Sequence, residues 1–264
     1  MHCVASVPAG YRVELRNVTF RASRFAPRFV LREVSLTVEP GQFVAVVGLN
    51  GAGKSSLLRA IAGELEHVEG VVTVGGQRIS RPINRIIDGV GVVHQHDDVD
   101  LIGHVSVAQN IAIRQLLGGG HPARLIANSE AWRRGVASVL GSEAQLGAFD
   151  LDEQVRTLAG GKRQMLSVAI AIHLEHRQNP CRLLLLDEHT SRLDHRNANR
   201  VMEYTVCQIQ RTGATALMVT HRYSDALCHA TRVVVLRDGN IAADQPVANF
   251  ASVADLARLV EGDE

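Results

Sequence analysis

The chain has 264 residues, of which 46% are hydrophobic, 4% aromatic and 21% charged, with a formal net charge of +1. That length and apolar content support one large α/β domain, or a core with a lobe inserted into it. Near-neutral charge without a long basic run leaves no electrostatic footprint for nucleic acid. No apolar stretch approaches the roughly 18 residues of a membrane span, and the N-terminus lacks the regions of a signal peptide, so a soluble chain of the cytosol is expected.

In chain order, Tyr11–Phe20 alternates like an antiparallel strand and Val30–Val38 reads as a second, punctuated by Glu39-Pro40-Gly41. Phe43–Val47 is a buried strand, Ser55–Ile61 the start of a helix, and Val71–Val74 and Gly89–Val93 are further short strands. Helical patterns then dominate, at Val107–Leu117 and Arg124–Leu140, joined by the loop Gly118–Pro122. Met165–Ile172 reads as a buried helix. Leu183–Leu186 and Thr215–Thr220 read as buried parallel strands, Arg232–Leu236 and a turn at Asp238-Gly239 come next, and an amphipathic helix at Val253–Val260 closes the chain.

The cysteines, Cys3, Cys181, Cys207 and Cys228, form no C-x-x-C pair, and free, mostly buried thiols are expected. His94-Gln95-His96-Asp97-Asp98 and His173-Leu174-Glu175-His176 carry potential metal ligands, but neither has H-E-x-x-H spacing, and no dedicated metal site is expected at either.

Between the strand at Phe43 and the helix at Ser55 lies Gly48-Leu49-Asn50-Gly51-Ala52-Gly53-Lys54-Ser55, which matches G-x-x-x-x-G-K-[ST]. Glycines let the backbone turn its N–H groups toward phosphate oxygens, the lysine reaches the β and γ phosphates, and the serine hydroxyl sits on Mg²⁺. Chance would produce such a match in roughly one chain in a hundred of this length, and the strand–loop–helix context lowers that further. Gly48, Asn50, Gly51, Ala52, Gly53, Lys54, Ser55 and Ser56 are therefore candidate contacts of a nucleoside triphosphate. Downstream, Asp187-Glu188 follows four leucines. The first carboxylate is placed to hold Mg²⁺, and the second to orient and deprotonate a water.

Leu158-Ala159-Gly160-Gly161-Lys162-Arg163-Gln164 precedes that pair, Ser191-Arg192-Leu193-Asp194 follows it, Gln95 closes the strand before it and His221 ends the strand after it. In this order the chain resembles an ABC-type ATPase from about Val13 to Ala242, with Walker A, Q-loop, signature, Walker B, D-loop and H-loop. Leu-Leu-Leu-Leu-Asp-Glu-His-Thr190 further resembles a group of bacterial importer ATPases that includes proposed amino-acid uptake systems.

The resemblance implies a P-loop NTPase (RecA-like) core with an N-terminal antiparallel β-subdomain and an inserted helical subdomain at about 97–160. The ATPase domain would run over 11–248, with a C-terminal helix or tail at 249–264. It implies that Ser55, Gln95 and Asp187 organise Mg²⁺ and that Gln95 also senses the γ-phosphate. Glu188 would act on the attacking water, and His221 would contact the γ-phosphate. Ala159, Gly160 and Gly161 would bind the ATP of a second copy in a head-to-tail dimer, with Asp194 at the seam. With the chain itself on the cytosolic face of the membrane, the implied partners are integral-membrane permease subunits, a second ATPase copy and a solute-binding protein, with no nucleic acid. Tyr11, Phe20 and Phe25 are candidates to stack the adenine, although the aligned position is Ala22. The pattern departs from Leu-Ser-Gly-Gly-Gln at Ala159 and Lys162. An active homodimer, a subunit that needs a different ATPase partner, a regulatory switch and a soluble non-transport ATPase therefore remain alternatives.

Overall fold

Alternation builds the first sheet. β1 (Val13–Arg21) buries Val13, Leu15 and Val18 and turns Arg16, Asn17 and Arg21 outward, as a half-buried antiparallel strand does. β2 (Phe29–Val38) buries Leu31, Val34, Leu36 and Val38 and pairs antiparallel with it. The chain then enters β3 (Phe43–Val47), crosses the loop at Gly48 into α1 (Lys54–Ile61), and returns through β4 (Val68–Val74) and β5 (Gln77–Ile79). β2, β1, β4 and β5 form a four-stranded sheet in that order.

Strands without a polar face need cover on both sides, and they make the second sheet, edged by one strand exposed at alternate positions. β3, β6 (Val90–Val93), β7 (Leu183–Asp187), β8 (Thr215–Val219), β9 (Arg232–Arg237) and β10 (Asn240–Pro246) assemble in the order β10-β9-β3-β8-β7-β6. All its pairs are parallel except the β9–β10 hairpin. This computed structural model describes residues 10–21, 29–79, 87–117, 130–141, 149–174 and 181–262.

The sheet divides the interior into two cores. Val44, Val46, Leu183, Leu185, Leu217 and Val234 face α1 and the four-stranded sheet. Ala45, Val47, Leu184, Leu186, Met218 and Val235 face the other way, toward the helices. These are α2 (Asp97–Asp100), α3 (Val107–Leu117), α4 (Glu130–Gly141), α5 (Gly160–Ala169), α6 (His195–Thr212), α7 (Tyr223–His229) and α8 (Val253–Glu261). Leu256 and Val260 tie α8 into the same core.

Three features differ from the sequence reading. α6 was not among the expected elements, yet its end signals are clear: the Asp194 carboxylate accepts the Asn197 N–H at the N-cap, and Gly213 turns out of the helix at φ 65. The helix expected from Met165 begins at Gly160 and ends in a π turn over Ile170–Leu174. Cys181 is buried, but Cys207 and Cys228 are exposed, because each falls on the solvent side of its amphipathic helix. Cys3, Ala22, Phe25, the loop at 118–122, the helix start at 124–129 and His176 lie outside the described residues.

Leu185 is fully buried in the central sheet. Leu185→Ala is expected to cost about 2–5 kcal/mol, read as a lower urea midpoint at unchanged slope.

Candidate active site

Parallel register brings the ends of the strands into line. Val93 pairs with Leu186, Asp187 with Val219, and Val219 with Val46. The residues that leave β3, β6, β7 and β8 therefore emerge along one edge, where ligands of open α/β sheets bind. Those residues are Gly48–Ser55, Gln95, Asp187-Glu188 and His221.

The loop after β3 is bent by necessity. Gly53 sits at φ 101, and a Cβ there would lie 2.6 Å from the Val30 carbonyl oxygen. A Cβ at Gly48 would lie 2.2 Å from the Leu236 oxygen. Only glycine passes through either point. Asn50 and Gly51 crest the loop in solvent, Ala52 and Gly53 are buried, and Ser56 is half-buried on α1. No side chain caps α1 and its first turn carries no acid, so its N–H groups and positive dipole end face the loop.

The Lys54 amine lies inside the bend, donating to the carbonyls of Gly48 at 2.9 Å and Leu49 at 3.0 Å. Burial lowers its pKa, opposed by the charges of Glu188 and Asp187. The Ser55 hydroxyl donates to Asp187 Oδ1 at 3.0 Å. Burial raises the Asp187 pKa; the Ser55 hydrogen bond opposes the shift and repulsion from Glu188 adds to it.

Glu188 is held from two sides. Gln95 Nε2 donates to Glu188 Oε2 at 2.9 Å, and His221 Nε2 lies 2.6 Å from Glu188 Oε1. Gln95 Nε2 also lies 3.4 Å from the Ser191 hydroxyl. Glu188 itself adopts φ 47, a left-handed conformation unusual for a residue with a side chain. Its N–H donates to the Val219 carbonyl and its own carbonyl accepts from Ser191 N–H. The hard oxygen donors Ser55 and Asp187 suit a small divalent cation such as Mg²⁺. The adjoining carboxylate–imidazole pair can take and hold a proton.

Two histidines near this cluster do work that their sequence context did not disclose. His94 Nδ1 lies 2.7 Å from Asp100 Oδ1 and its Nε2 3.7 Å from Glu64 Oε1. The Asp100 hydrogen bond, then that of Glu64, pushes the His94 pKa up to about 10. His189 is 2% exposed, its Nε2 3.3 Å from the Thr205 hydroxyl, and burial pushes its pKa down to about 4.

Of the aromatic candidates, Tyr11 is already engaged. Its ring lies over Gly75 and Gly89, Arg182 stacks 5.6 Å from its centroid, and its hydroxyl donates to the Asp88 carbonyl. Phe20 packs inward against the core beneath the first sheet.

Residues 31–191 match the family described as ABC transporter. The chain belongs to the ABC transporter family. It is 36% identical over 242 residues to the aliphatic sulfonates import ATP-binding protein SsuB of Cupriavidus pinatubonensis, covering 91% of this chain and 71% of that protein. It is 29% identical over 250 residues to the ribose import ATP-binding protein RbsA of Chromobacterium violaceum, covering 94% of this chain but only 47% of that relative. A nucleotide-free ATP-binding cassette from an ABC transporter shares its fold at TM-score 0.73 and 20% identity, over 94% of this chain and 98% of that one. The dimeric bacterial ABC transporter cassette MJ0796 does so at TM-score 0.71 and 22% identity, over 90% and 100%.

In this ABC protein the signature residues stand apart from the cluster. Ala159 is the extended N-cap of α5 and offers it no side-chain cap. The neighbours a Cβ would meet are Leu193 at Gly160 and Asn197 at Gly161. Lys162 places its ammonium 5.7 Å above the Phe149 ring. Asp194 accepts from Asn197 N–H and Nδ2 at 2.9 and 2.6 Å, which lowers its pKa.

The buried His189 gives a pH test. Its folded pKa lies below the ordinary 6.5, so its stabilising contribution is intact above that value and is lost as pH falls toward 4. Urea midpoints should fall between about pH 7 and about pH 5, and His189→Gln should flatten that fall.

Proposed function

We propose that the chain is the ATP-hydrolysing subunit of a multi-subunit ABC transporter, and that it powers import through separate permease subunits. The observation that carries this reading is the Glu188 carboxylate, clamped between Gln95 and His221 beside the Lys54 loop and the Ser55–Asp187 pair. Membership in the ABC transporter family and the import relatives support it. The proposed ATPase domain is 11–248, with the helical insert at about 97–160 and a C-terminal helix at 249–264.

The loop N–H groups of Gly48–Ser56 and the Lys54 ammonium bind and orient the β and γ phosphates. Ser55, Asp187 and Gln95 would hold Mg²⁺, whose charge offsets that of the phosphates. Glu188 accepts a proton from the attacking water as its oxygen bonds to the γ-phosphorus. The bond to the β-phosphate oxygen breaks, and ADP and phosphate leave. His221 orients Glu188 at one carboxylate oxygen and reaches the γ-phosphate, while Gln95 holds the other oxygen.

Ala159, Gly160 and Gly161 would close on the nucleotide of a second copy. A groove of about 330 Å³ lined by Asp98, Leu101, Gly103, Val155, Arg156 and Arg163 lies beside exposed Val99 and Ile102. Its apolar floor and guanidinium rim suit an amphipathic cytoplasmic helix of a permease. No helix among the described residues is long and apolar enough to cross a membrane. The chain is thus read as a peripheral subunit on the cytoplasmic face, with a solute-binding protein on the far side. At the finer level, the Leu183–Thr190 resemblance favours an amino-acid uptake system.

One observation favours a second reading. Ala159 lacks a hydroxyl that, against a charged phosphate, contributes about 1.5–3 kcal/mol, so the signature face could require a different ATPase subunit opposite it.

Glu188→Gln is expected to keep ATP binding and to lose roughly 10²–10⁴-fold in turnover. Undiminished turnover in that variant would sink the enzymatic reading. Specific turnover should rise with protein concentration if two copies form the site. Ala159→Ser should raise it further, by roughly ten- to a hundredfold for about 1.5–3 kcal/mol of recovered hydrogen bonding. No turnover by the isolated chain, with ATP still bound, would favour the second reading.

A further inference from the structure

Beside Gln95 lies an ionic cluster that the proposed reaction leaves unused. His94, the residue that leaves β6, gives both of its donors on that side to one carboxylate: its backbone N–H to Asp100 Oδ2 at 2.8 Å, and ring Nδ1 to Asp100 Oδ1 at 2.7 Å. The other ring nitrogen faces Glu64 Oε1 at 3.7 Å, and Glu64 also takes Arg59 Nε at 3.2 Å. The Asp100 side chain is 2% exposed and that of His94 26%. A buried carboxylate needs such partners, and here a single residue supplies them.

The geometry has a direct consequence for the next residue. Two bonds to Asp100 fix the His94 backbone and its ring, and Glu64 lies 3.7 Å from the ring's other nitrogen. Gln95 therefore leaves a fixed peptide and reaches Glu188 Oε2 at 2.9 Å. The three members come from different elements. Glu64 follows α1, which carries Lys54 and Ser55 at its other end. His94 follows β6, and Asp100 ends α2, next to Leu101 on the groove wall. A displacement at the groove would reach Gln95 through the two His94–Asp100 hydrogen bonds.

We propose that Glu64, His94 and Asp100 form a bracket that positions Gln95 against Glu188 and ties it to the groove wall, making His94 and Asp100 positioning residues for hydrolysis. The inference rests on the reading of Gln95 as part of the hydrolytic site.

The test is a double-mutant cycle on the full chain, alone or in its transporter complex. His94→Gln, Asp100→Asn and Glu64→Gln are each made in the native and Gln95→Ala backgrounds, with kcat, KM for Mg²⁺-ATP and thermal midpoint recorded. His94→Gln and Asp100→Asn should lower kcat by roughly ten- to a hundredfold, the scale of a misplaced catalytic group, with KM within about twofold. Glu64→Gln, at the exposed arm, should give a smaller fall in the same direction, and it keeps the test open if the buried variants do not fold. In the Gln95→Ala background none should lower kcat further, since groups acting through one residue are not additive. Losses that add to that of Gln95→Ala, or that follow KM or thermal midpoint instead of kcat, would overturn the bracket while leaving Gln95 in place. A Gln95→Ala variant with native kcat would overturn both.

Discussion

Four consecutive leucines decide where the chemistry sits. Leu183–Leu186 are all fully buried, alternately toward the two cores. An unpaired ionised carboxylate within such a strand would be prohibitively costly, so the acidic pair falls at the first place where the strand ends. Alternation then separates the two acids. Asp187 continues the strand toward Ser55. Glu188 breaks from it at φ 47, and that turn carries its carboxylate to His221 and Gln95. Backbone strain of this kind survives only where the surroundings over-determine it. Here the Val219 carbonyl and the Ser191 N–H fix both sides of the Glu188 peptide. Parallel pairing of β7 with β6 and β8 is thus what lets two separate segments, at Gln95 and His221, meet one carboxylate.

Electrostatics at that edge are finely divided. Lys54 is one buried cation facing two carboxylates, and burial works against its charge and against that of Asp187. A polyphosphate adds more negative charge to the same space. On the proposed reading the site lacks a counter-charge for that load, which is why a hydroxyl and a carboxylate already joined at 3.0 Å make chemical sense as a divalent-ion seat. The uncapped N-terminus of α1 supplies the remaining positive potential through backbone dipoles, which need no reorganisation when the ligand arrives.

Much of this was legible in the sequence, for physical reasons that differ by element. The G-x-x-x-x-G-K-[ST] run specifies its own backbone, and both close approaches at Gly48 and Gly53 follow from it. Runs apolar at every position could only be covered on both faces, so the central strands were legible too. α6 escaped because it is mostly polar and Thr205 and Gln208 interrupt its buried stripe, although Ala198, Val201, Met202 and Ile209 keep helical spacing and Asp194 and Gly213 mark both ends. Tyr11 could not be excluded from adenine stacking by sequence, since only the fold lays it across Gly75 and Gly89. His94 read as one of several imidazoles with ligand potential. Its partners, 30 residues upstream and six downstream, become neighbours only when α1, β6 and α2 converge.

On the proposed reading, one copy of the chain does not make a whole site. Ser191 touches the Glu188 peptide and the Gln95 amide; Leu193 and Asn197 lie against Gly160 and Gly161. The segment Ser191–Asn197 is therefore a short strut, stiffened by the Asp194 cap, between Glu188 and the Gly160-Gly161 turn of the same copy. In the proposed head-to-tail assembly that signature serves the other nucleotide. A movement at one Glu188 would then be felt at the opposite site through these seven residues of chain, with no long pathway required. Because Ala159 contributes no hydroxyl, this strut delivers backbone N–H groups almost alone. The strength of coupling between the two sites would then depend on how closely α5 approaches the partner's phosphate, and less on any single side chain.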